Sequence, residues 1–185
     1  MVGMILETFT FMLSAFGQNN SAIDSLENVL RTAEEDTAKV ICLNALSSQY
    51  NRISDYKISV QYAELALELA MALDYKKGIT KSYDNIGKGH LFQGNYPEAL
   101  DNYFASLEVK EEIGDKEGMV NTTINIGGLY QCEGNFQDAR KYFNDARALA
   151  KEIGVKRQIW EIYNHLTTLE SNAGNFARAL EHNKM

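Results

Sequence analysis

The residue types that most often catalyse reactions or bind metals are few in this chain and lie far apart. Its histidines are His90, His165 and His182, and its cysteines are Cys42 and Cys132. The two cysteines lie 90 residues apart and show no metal-ligand spacing. His165 has no carboxylate or cysteine at the spacing of a ligand set or a catalytic triad. The sequence therefore predicts no enzymatic activity, no metal site and no cofactor.

The stretch "GKGH" at residues 87–90 has some composition in common with a phosphate-binding loop. It follows no predicted strand, lies inside a predicted helix and lacks the Gly-Lys-Ser/Thr ending of such loops. We therefore exclude a nucleotide site here. Cys42 and Cys132 are interpreted as small apolar residues on helices.

Composition and charge restrict the class of protein. Apolar residues make up 45% of the chain and charged residues 23%, which is typical of a folded protein. The net charge is −7, and no run of Lys or Arg offsets it, so nucleic acid is not an expected partner. Pro97 is the single proline, so almost nothing interrupts helices.

The chain repeats itself every 40 residues without a gap. "NIGKGHLFQGNYPEAL" at residues 85–100 returns as "NIGGLYQCEGNFQDAR" at residues 125–140. Apolar residues, turn residues and alanines recur at the same steps: Leu46, Ile86, Ile126 and Leu166; Ser54, Gly94, Gly134 and Gly174; Ser59, Ala99, Ala139 and Ala179. A fixed period of this length predicts a stack of structural repeats.

Each repeat is predicted to be a pair of helices. Gly94 supplies a left-handed residue that ends the first helix, Asn95 can cap the second, and Pro97 suits the first turn of that helix. Gly114 ends the second helix, and Asp115 can cap the helix that follows. The same pattern of turn residues recurs forty residues later, at Gly134-Asn135 and Gly154.

Glycine also stands in the middle of the first helix of two repeats, at Gly87 and Gly127. A glycine there costs about 1 kcal/mol relative to alanine, so some contact must offset the cost. The close approach of a neighbouring helix is the simplest explanation. The large residues Tyr103 and Phe143 are expected to fill the remaining space.

These positions resemble the tetratricopeptide repeat, whose pattern places Leu/Ile-Gly before Tyr, and Ala before an aromatic residue. The matching residues of two repeats are Ile86-Gly87, His90, Ala99, Tyr103 and Ser106, and then Ile126-Gly127, Tyr130, Ala139, Phe143 and Ala146. His90 holds the tyrosine position, so we interpret it as a packing residue. The last repeat departs from the pattern, with Thr167 at the glycine and Glu170 at the tyrosine.

The resemblance implies an all-α fold, a right-handed α-solenoid of antiparallel helix pairs. The usual repeat has 34 residues, and this 40-residue form resembles the variant found in adaptors of animal cell polarity and in the sensory segments of bacterial signalling proteins. The predicted repeats span residues 37–76, 77–116, 117–156 and 157–185, the last of them truncated. Residues 18–36 are predicted to be the second helix of a leading partial repeat.

Two interpretations of residues 1–17 stay open. The apolar stretch before Gly17 suits a signal peptide cut before Gln18, which predicts export to the periplasm or another extracytoplasmic space. It also suits the first helix of the leading repeat, which predicts a cytoplasmic protein. At the other end, the final helix predicted from Phe176 is unfinished, so we expect a downstream output domain or self-association through this repeat.

In tetratricopeptide arrays the first helices line a groove, and the resemblance places the candidate binding residues there. The candidate set is rich in asparagine: Asn44, Asn51, Lys81, Asn85, Lys88, Asn121, Asn125, Gln131, Asn164 and His165. A wider set adds Ser48, Arg52, Asp84, Phe92, Gly128, Glu161, Thr168 and Asn172. Side-chain amides offer donors and an acceptor that match the backbone of an extended peptide. The alternative is that Asn85 and Asn125 only satisfy backbone groups between repeats.

The leading hypothesis is a non-enzymatic protein-interaction scaffold that binds a protein or an extended peptide in this groove. The resemblance to bacterial sensory segments suggests the input part of a signal-transduction protein. The alternative hypothesis is a structural spacer or self-association module without a peptide ligand.

Overall fold

The computed structural model describes residues 21–172, and within this range the chain is helical with no β-strand. Residues 1–17 and the helix predicted from Phe176 lie outside the described residues. None of the described helices is long and apolar enough to cross a membrane. The helices are α1 (21–32), α2 (Thr37–Arg52), α3 (Tyr56–Ala72), α4 (Lys76–Gln93), α5 (Tyr96–Glu112), α6 (Lys116–Cys132), α7 (Phe136–Ile153) and α8 (Lys156–Asn172).

The helices pair as antiparallel hairpins. The first helices of the repeats are α2, α4, α6 and α8, which begin at Thr37, Lys76, Lys116 and Lys156. The second helices are α3, α5 and α7. In two hairpins the helices pack directly, α2 on α3 and α6 on α7, and each connection is three residues long. The predicted fold class, all-α with antiparallel helix pairs, is confirmed.

Every turn from α2 to α8 contains a residue with a positive φ angle. Glycine fills this position at residues 94, 114, 134 and 154, with φ between 71° and 80°. This confirms the predicted role of these glycines in ending helices, since glycine adopts the left-handed conformation without a steric penalty. Ser54 and Asp74 hold the same conformation in the earlier turns, with φ of 63° and 47°.

The predicted helix caps are only partly confirmed. The backbone N–H of Gly118 donates to Oδ1 of Asp115 at 2.9 Å, as expected for an N-cap. Asn95 occupies the corresponding position of α5, but its side chain makes no capping hydrogen bond, so that prediction was wrong. Pro97 lies in the first turn of this helix and has no N–H to offer a cap. The Asn95 amide lies instead 3.4 Å from Nδ1 of His90, which is half-buried.

The chain forms two compact units, Met1–Asn85 and Ile86–Met185. In the first unit, α1 packs on α2 through a cluster centred on Ile23, Cys42 and Leu46. The tyrosines at residues 50 and 62 stack at 5.4 Å, and both of their hydroxyls donate to one carboxylate oxygen of Glu27 on α1. Burial and this carboxylate raise the pKa of Tyr50 to about 12, so the phenol stays protonated and keeps α1 on α2.

The second unit is built around an aromatic ring that packs on a glycine in each hairpin. A Cβ atom added to Gly127 would lie 2.7 Å from the ring of Phe143, and one added to Gly87 would lie 2.8 Å from the ring of Tyr103. Both rings are buried, at 0% and 1% exposure. The prediction that a close approach offsets the cost of these glycines is confirmed.

The repeat that departs from the sequence pattern uses an ion pair in place of a tyrosine. Glu170 is 1% exposed, and its Oε1 accepts a hydrogen bond of 2.6 Å from Nε of Arg140 on α7. Thr167, at the glycine position, donates its hydroxyl to the backbone oxygen of Tyr163, four residues earlier. Oε1 of Glu170 and the hydroxyl of Thr167 are therefore both hydrogen-bonded, and α8 packs on α7.

The neighbouring glycines of α6 provide a matched test of this packing. Gly127→Ala should lower the free energy of unfolding by about 1–3 kcal/mol, because the buried Phe143 ring would have to move. Gly128→Ala should raise it by up to about 1 kcal/mol, because nothing lies within 4 Å of the added Cβ and alanine favours helix. Urea unfolding followed by circular dichroism measures both. Equal effects of the two substitutions would contradict the packing described here.

Candidate functional site

All ten candidate binding residues lie on first helices. Their side chains nevertheless occupy different environments: a buried polar network, two cavities, open surface and, for Asn51, a buried position outside the network. The helices carry them as follows: Asn44 and Asn51 on α2; Lys81, Asn85 and Lys88 on α4; Asn121, Asn125 and Gln131 on α6; Asn164 and His165 on α8.

The buried polar network joins α2 to α4 in the first unit. Nδ2 of Asn85 donates to the backbone oxygen of Asn44 at 3.1 Å and to its Oδ1 at 3.0 Å. Nδ2 of Asn44 donates to the hydroxyl of Ser82 at 2.9 Å, and the hydroxyl of Ser48 lies 3.4 Å from Oδ1 of Asn85. Asn44 and Asn85 are each 4% exposed. The geometry gives this pair a structural role between two repeats, and a role in ligand binding stays a prediction.

A cavity of about 290 Å³ opens beside this network in the first unit, and we call it the N-terminal cavity. It brings together two candidate residues, Asn44 and Lys81. Its two charged side chains are both lysines, and the rest of the lining is mostly apolar. The lining residues are Val40, Ile41, Asn44, Ala45, Ser48, Tyr75, Lys77, Gly78 and Lys81.

A larger cleft of about 500 Å³ lies in the second unit, between the C-terminal part of α4 and the helices α6 and α8. We call it the C-terminal cleft. It brings together three candidate residues, Asn125, Gln131 and His165, and four of the wider set. Its lining residues are Leu91, Phe92, Ile124, Asn125, Gly128, Gln131, Cys132, Glu161, His165 and Asn172.

The other candidate residues line neither opening. Lys88, Asn121 and Asn164 are exposed on the helix surfaces. Asn51 is 7% exposed, and neither atom of its amide has a hydrogen-bond partner within the described part of the chain. The structure therefore brings together only some of the residues that the repeat pattern selected, because burial differs between repeats.

Sequence analysis missed part of the C-terminal cleft. Leu91 and Ile124 were not among the candidates, and Cys132 was interpreted only as a small apolar residue on a helix. Cys132 does lie on α6, but its thiol is exposed, whereas that of Cys42 is buried. The helical spacing contained the signal, since residues three and seven positions after Asn125 share its face of α6. Those residues are Gly128 and Cys132.

The imidazole of His165 forms one wall of the cleft and is held by an aromatic stack. Its ring lies 4.9 Å from the ring of Phe143, at an interplanar angle of 16°. Burial lowers the pKa of His165, and the negative charge of Glu161, one helical turn earlier, opposes that shift in part. The ring is therefore neutral near pH 7 and offers the cleft a hydrogen-bonding group without a positive charge.

Gly128 leaves the floor of the cleft open. It lies inside α6, yet no atom lies within 4 Å of the position that its Cβ would occupy. Its neighbour Gly127 packs against Phe143, so the two glycines have different surroundings. A helical glycine with open space above it exposes the backbone to whatever enters the cleft.

The family comparison agrees with this geometry. Residues 78–152, which extend from α4 to α7, match the family model described as tetratricopeptide repeat. The resemblance to the tetratricopeptide repeat is confirmed over these residues. Stacked repeats of this kind present extended surfaces that repeat proteins use for binding. No curated protein sequence matches the chain.

Solved structures show the same repeat fold. BtubC from P. vanneervenii has a TM-score of 0.75 at 15% identity, over 91% of this chain and 72% of that protein. A Rap protein complexed with Competence and Sporulation Factor has a TM-score of 0.80 at 22% identity, over 92% of this chain and 49% of that protein. A STAND protein with a tetratricopeptide repeat sensor, from Pyrococcus horikoshii, has a TM-score of 0.79 at 20% identity, over 96% of this chain and 28% of that protein. The predicted α-solenoid class is confirmed.

The two asparagines that share one position of the repeat should respond differently to truncation. Asn85→Ala should lower the free energy of unfolding by about 1–3 kcal/mol, because it leaves buried acceptors on Asn44 without their donor. Asn125→Ala should change it by less than about 0.5 kcal/mol, because the half-buried side chain has no hydrogen bond among the described residues. Urea unfolding measures both. A loss of similar size in both variants would show that Asn125 also supports packing.

The stability of the second unit should depend on pH through His165. Its pKa in the folded protein is below the ordinary value of 6.5, so the unfolded chain binds the proton more readily. The contribution of the neutral imidazole to the free energy of unfolding is fully present above about pH 7 and is lost as the pH falls below about 6.5. Replacing the ring with the asparagine found one repeat earlier, His165→Asn, should give a shallower fall of melting temperature between pH 7.5 and 5.5. Parallel curves for the two proteins would contradict this assignment.

Proposed function

We propose that this chain is a non-enzymatic protein-interaction scaffold that binds an extended peptide, or an extended segment of a partner protein, in the C-terminal cleft. The observation that carries the proposal is the composition of that cleft. Three first helices supply apolar side chains, side-chain amides and an open glycine to one opening of about 500 Å³. Binding sites of this size combine a mostly apolar lining with a few polar groups that fix orientation.

The polar groups suit a peptide backbone. Asn125, Gln131 and Asn172 each carry an amide with two N–H donors and one carbonyl acceptor. An extended peptide presents N–H and C=O groups in alternation, and side chains at every second residue on one face. The amides can therefore hold the backbone while Leu91 and Phe92 contact the side chains. Phe92 is 53% exposed, so a ligand that covers it gains apolar burial.

Thiol catalysis is a poor fit to the same cleft. Cys132 and His165 both line it, but no hydrogen bond joins the thiol to the imidazole. In the repeat alignment, His165 on α8 corresponds to Asn125 on α6. Asn125 lies seven residues before Cys132, on the order of 10 Å along the helix, and the imidazole is expected at a similar distance from the thiol. A cysteine nucleophile needs its base within hydrogen-bonding reach. The ring of His165 is instead stacked on Phe143.

The structural neighbours support a signalling context. One was solved in complex with Competence and Sporulation Factor, and another carries its repeats as the sensor of a signal-transduction ATPase. This chain spans 49% and 28% of those two proteins, so the likeness extends to their repeats alone. We infer that the repeats are the input segment of a bacterial signalling protein, in which ligand binding would be transmitted to an output domain.

Self-association is the second candidate function, and one exposed side chain favours it. Trp160 on α8 is 69% exposed, whereas Val120, at the same position of the preceding repeat, is fully buried. An exposed tryptophan at a position that is otherwise a packing position suits contact with another repeat or a second copy of the chain.

Selection of peptides on the purified chain tests the proposed function. Dodecapeptides selected from a phage-displayed library should bind in solution by fluorescence polarisation, and Phe92→Ser should weaken them at least tenfold. Phe104→Ser is the matched control, since Phe104 is 42% exposed on α5 and lies outside the cleft. No selectable peptide, or equal losses in both variants, would overturn the proposal. A dimer in light scattering that Trp160→Ser converts to monomer would favour self-association.

A further inference from the structure

The described residues that line the C-terminal cleft carry charge of one sign. Glu161 on α8 is the acidic residue among them, and none of them is Lys or Arg. His165 adds no positive charge near neutral pH, because burial lowers its pKa. The N-terminal cavity has the opposite character, since Lys77 and Lys81 line it and none of its described lining residues is acidic. The two openings therefore favour ligand groups of opposite charge.

Glu161 is placed to meet a cation from outside the chain. It is half-buried, and none of the described Lys or Arg side chains forms an ion pair with it. Other acids on the same hairpins have such partners, as Glu152 has Lys116 and Glu170 has Arg140. A charge in a partly desolvated cleft interacts more strongly than one in bulk water. A cationic group that enters the cleft would therefore find in Glu161 a carboxylate with which no described Lys or Arg side chain pairs.

The open space above Gly128 in the C-terminal cleft provides room for the peptide backbone that carries the cation. None of the described residues lies within 4 Å of the position that a Cβ atom on Gly128 would occupy. Packing among these residues therefore does not explain why this position is a glycine. A ligand backbone can approach α6 closely at this point. The ring of Phe92 on the α4 side is 53% exposed and adds apolar surface to the same cleft.

We propose that the C-terminal cleft selects an extended peptide by one positively charged side chain, arginine or lysine, which pairs with Glu161 while the peptide backbone crosses Gly128. This specificity rests on the proposed peptide-binding function. An acidic or neutral residue at the same place in the peptide would leave Glu161 desolvated without a partner, so the cleft rejects it.

The exposed thiol of Cys132 gives a direct readout, because Cys42 is buried and reacts slowly. Pools of capped hexapeptides, each with one fixed central residue, are mixed with the full chain, and the rate of Cys132 modification by a chromogenic disulfide reagent is followed. Pools with arginine or lysine should protect Cys132 at concentrations at least tenfold lower than pools with citrulline, leucine or glutamate. Citrulline keeps the shape of arginine without its charge.

Two substitutions and one control variant test whether Glu161 and Gly128 determine the peptide selectivity. Glu161→Gln should abolish the preference for arginine over citrulline, while Glu133→Gln, an exposed acid at the end of α6 outside the cleft, should keep it. Gly128→Leu should remove protection by every pool, and its thermal melt checks that the protein is folded. Gly128→Ala provides a second, smaller change in the same direction.

The possible outcomes separate this inference from the function on which it rests. Preference for basic pools that depends on Glu161 supports it. Pools that protect Cys132 equally whatever the central residue, or a preference that survives Glu161→Gln, overturn the charge selectivity and leave peptide binding intact. Protection by no pool at all overturns both.

Discussion

The ring of Phe143 is the contact on which the second unit depends. One side of it packs against Gly127 on α6, and it also stacks on His165 of α8. Because the ring is fully buried and fills the space that a side chain at residue 127 would occupy, it sets how closely the helices approach. The same ring covers one face of His165, so the core contact contributes to the burial that lowers the pKa of a residue in the cleft. Packing and site chemistry are therefore coupled through one side chain.

Consecutive glycines on α6 show how the packing face and the binding face of one helix can be separated. Residues 127 and 128 are separated by about 100° around the helix axis. Gly127 faces the core, where its missing side chain admits an aromatic ring. Gly128 faces the cleft, where its missing side chain admits solvent or a ligand. A change on one face can thus leave the other intact, which allows repeats of one fold to recognise different partners.

Two asparagines at one position of the repeat acquire different roles because their neighbours differ. Asn85 finds Asn44, Ser48 and Ser82 around it and becomes part of a buried network. One repeat later, the positions of Asn44 and Ser48 hold Asp84 and Lys88. Asn125 makes no such bonds among the described residues and lines the cleft instead. The repeat pattern selects the position, while the neighbouring side chains decide whether its amide supports the fold or faces a ligand.

The sequence by itself determined the helical hairpins, their turns and the glycine–aromatic contacts, because these depend on local backbone preferences and on a pattern repeated at a fixed spacing. The left-handed glycines and the pairing of Gly127 with Phe143 are examples. Only the tertiary structure decided that Asn85 is buried, that Cys132 is exposed, that Asn95 does not cap its helix and that Arg140 forms an ion pair with Glu170. Each of these depends on which side chains of other helices or turns come within hydrogen-bonding or packing distance, and a period along the chain carries no information about that distance.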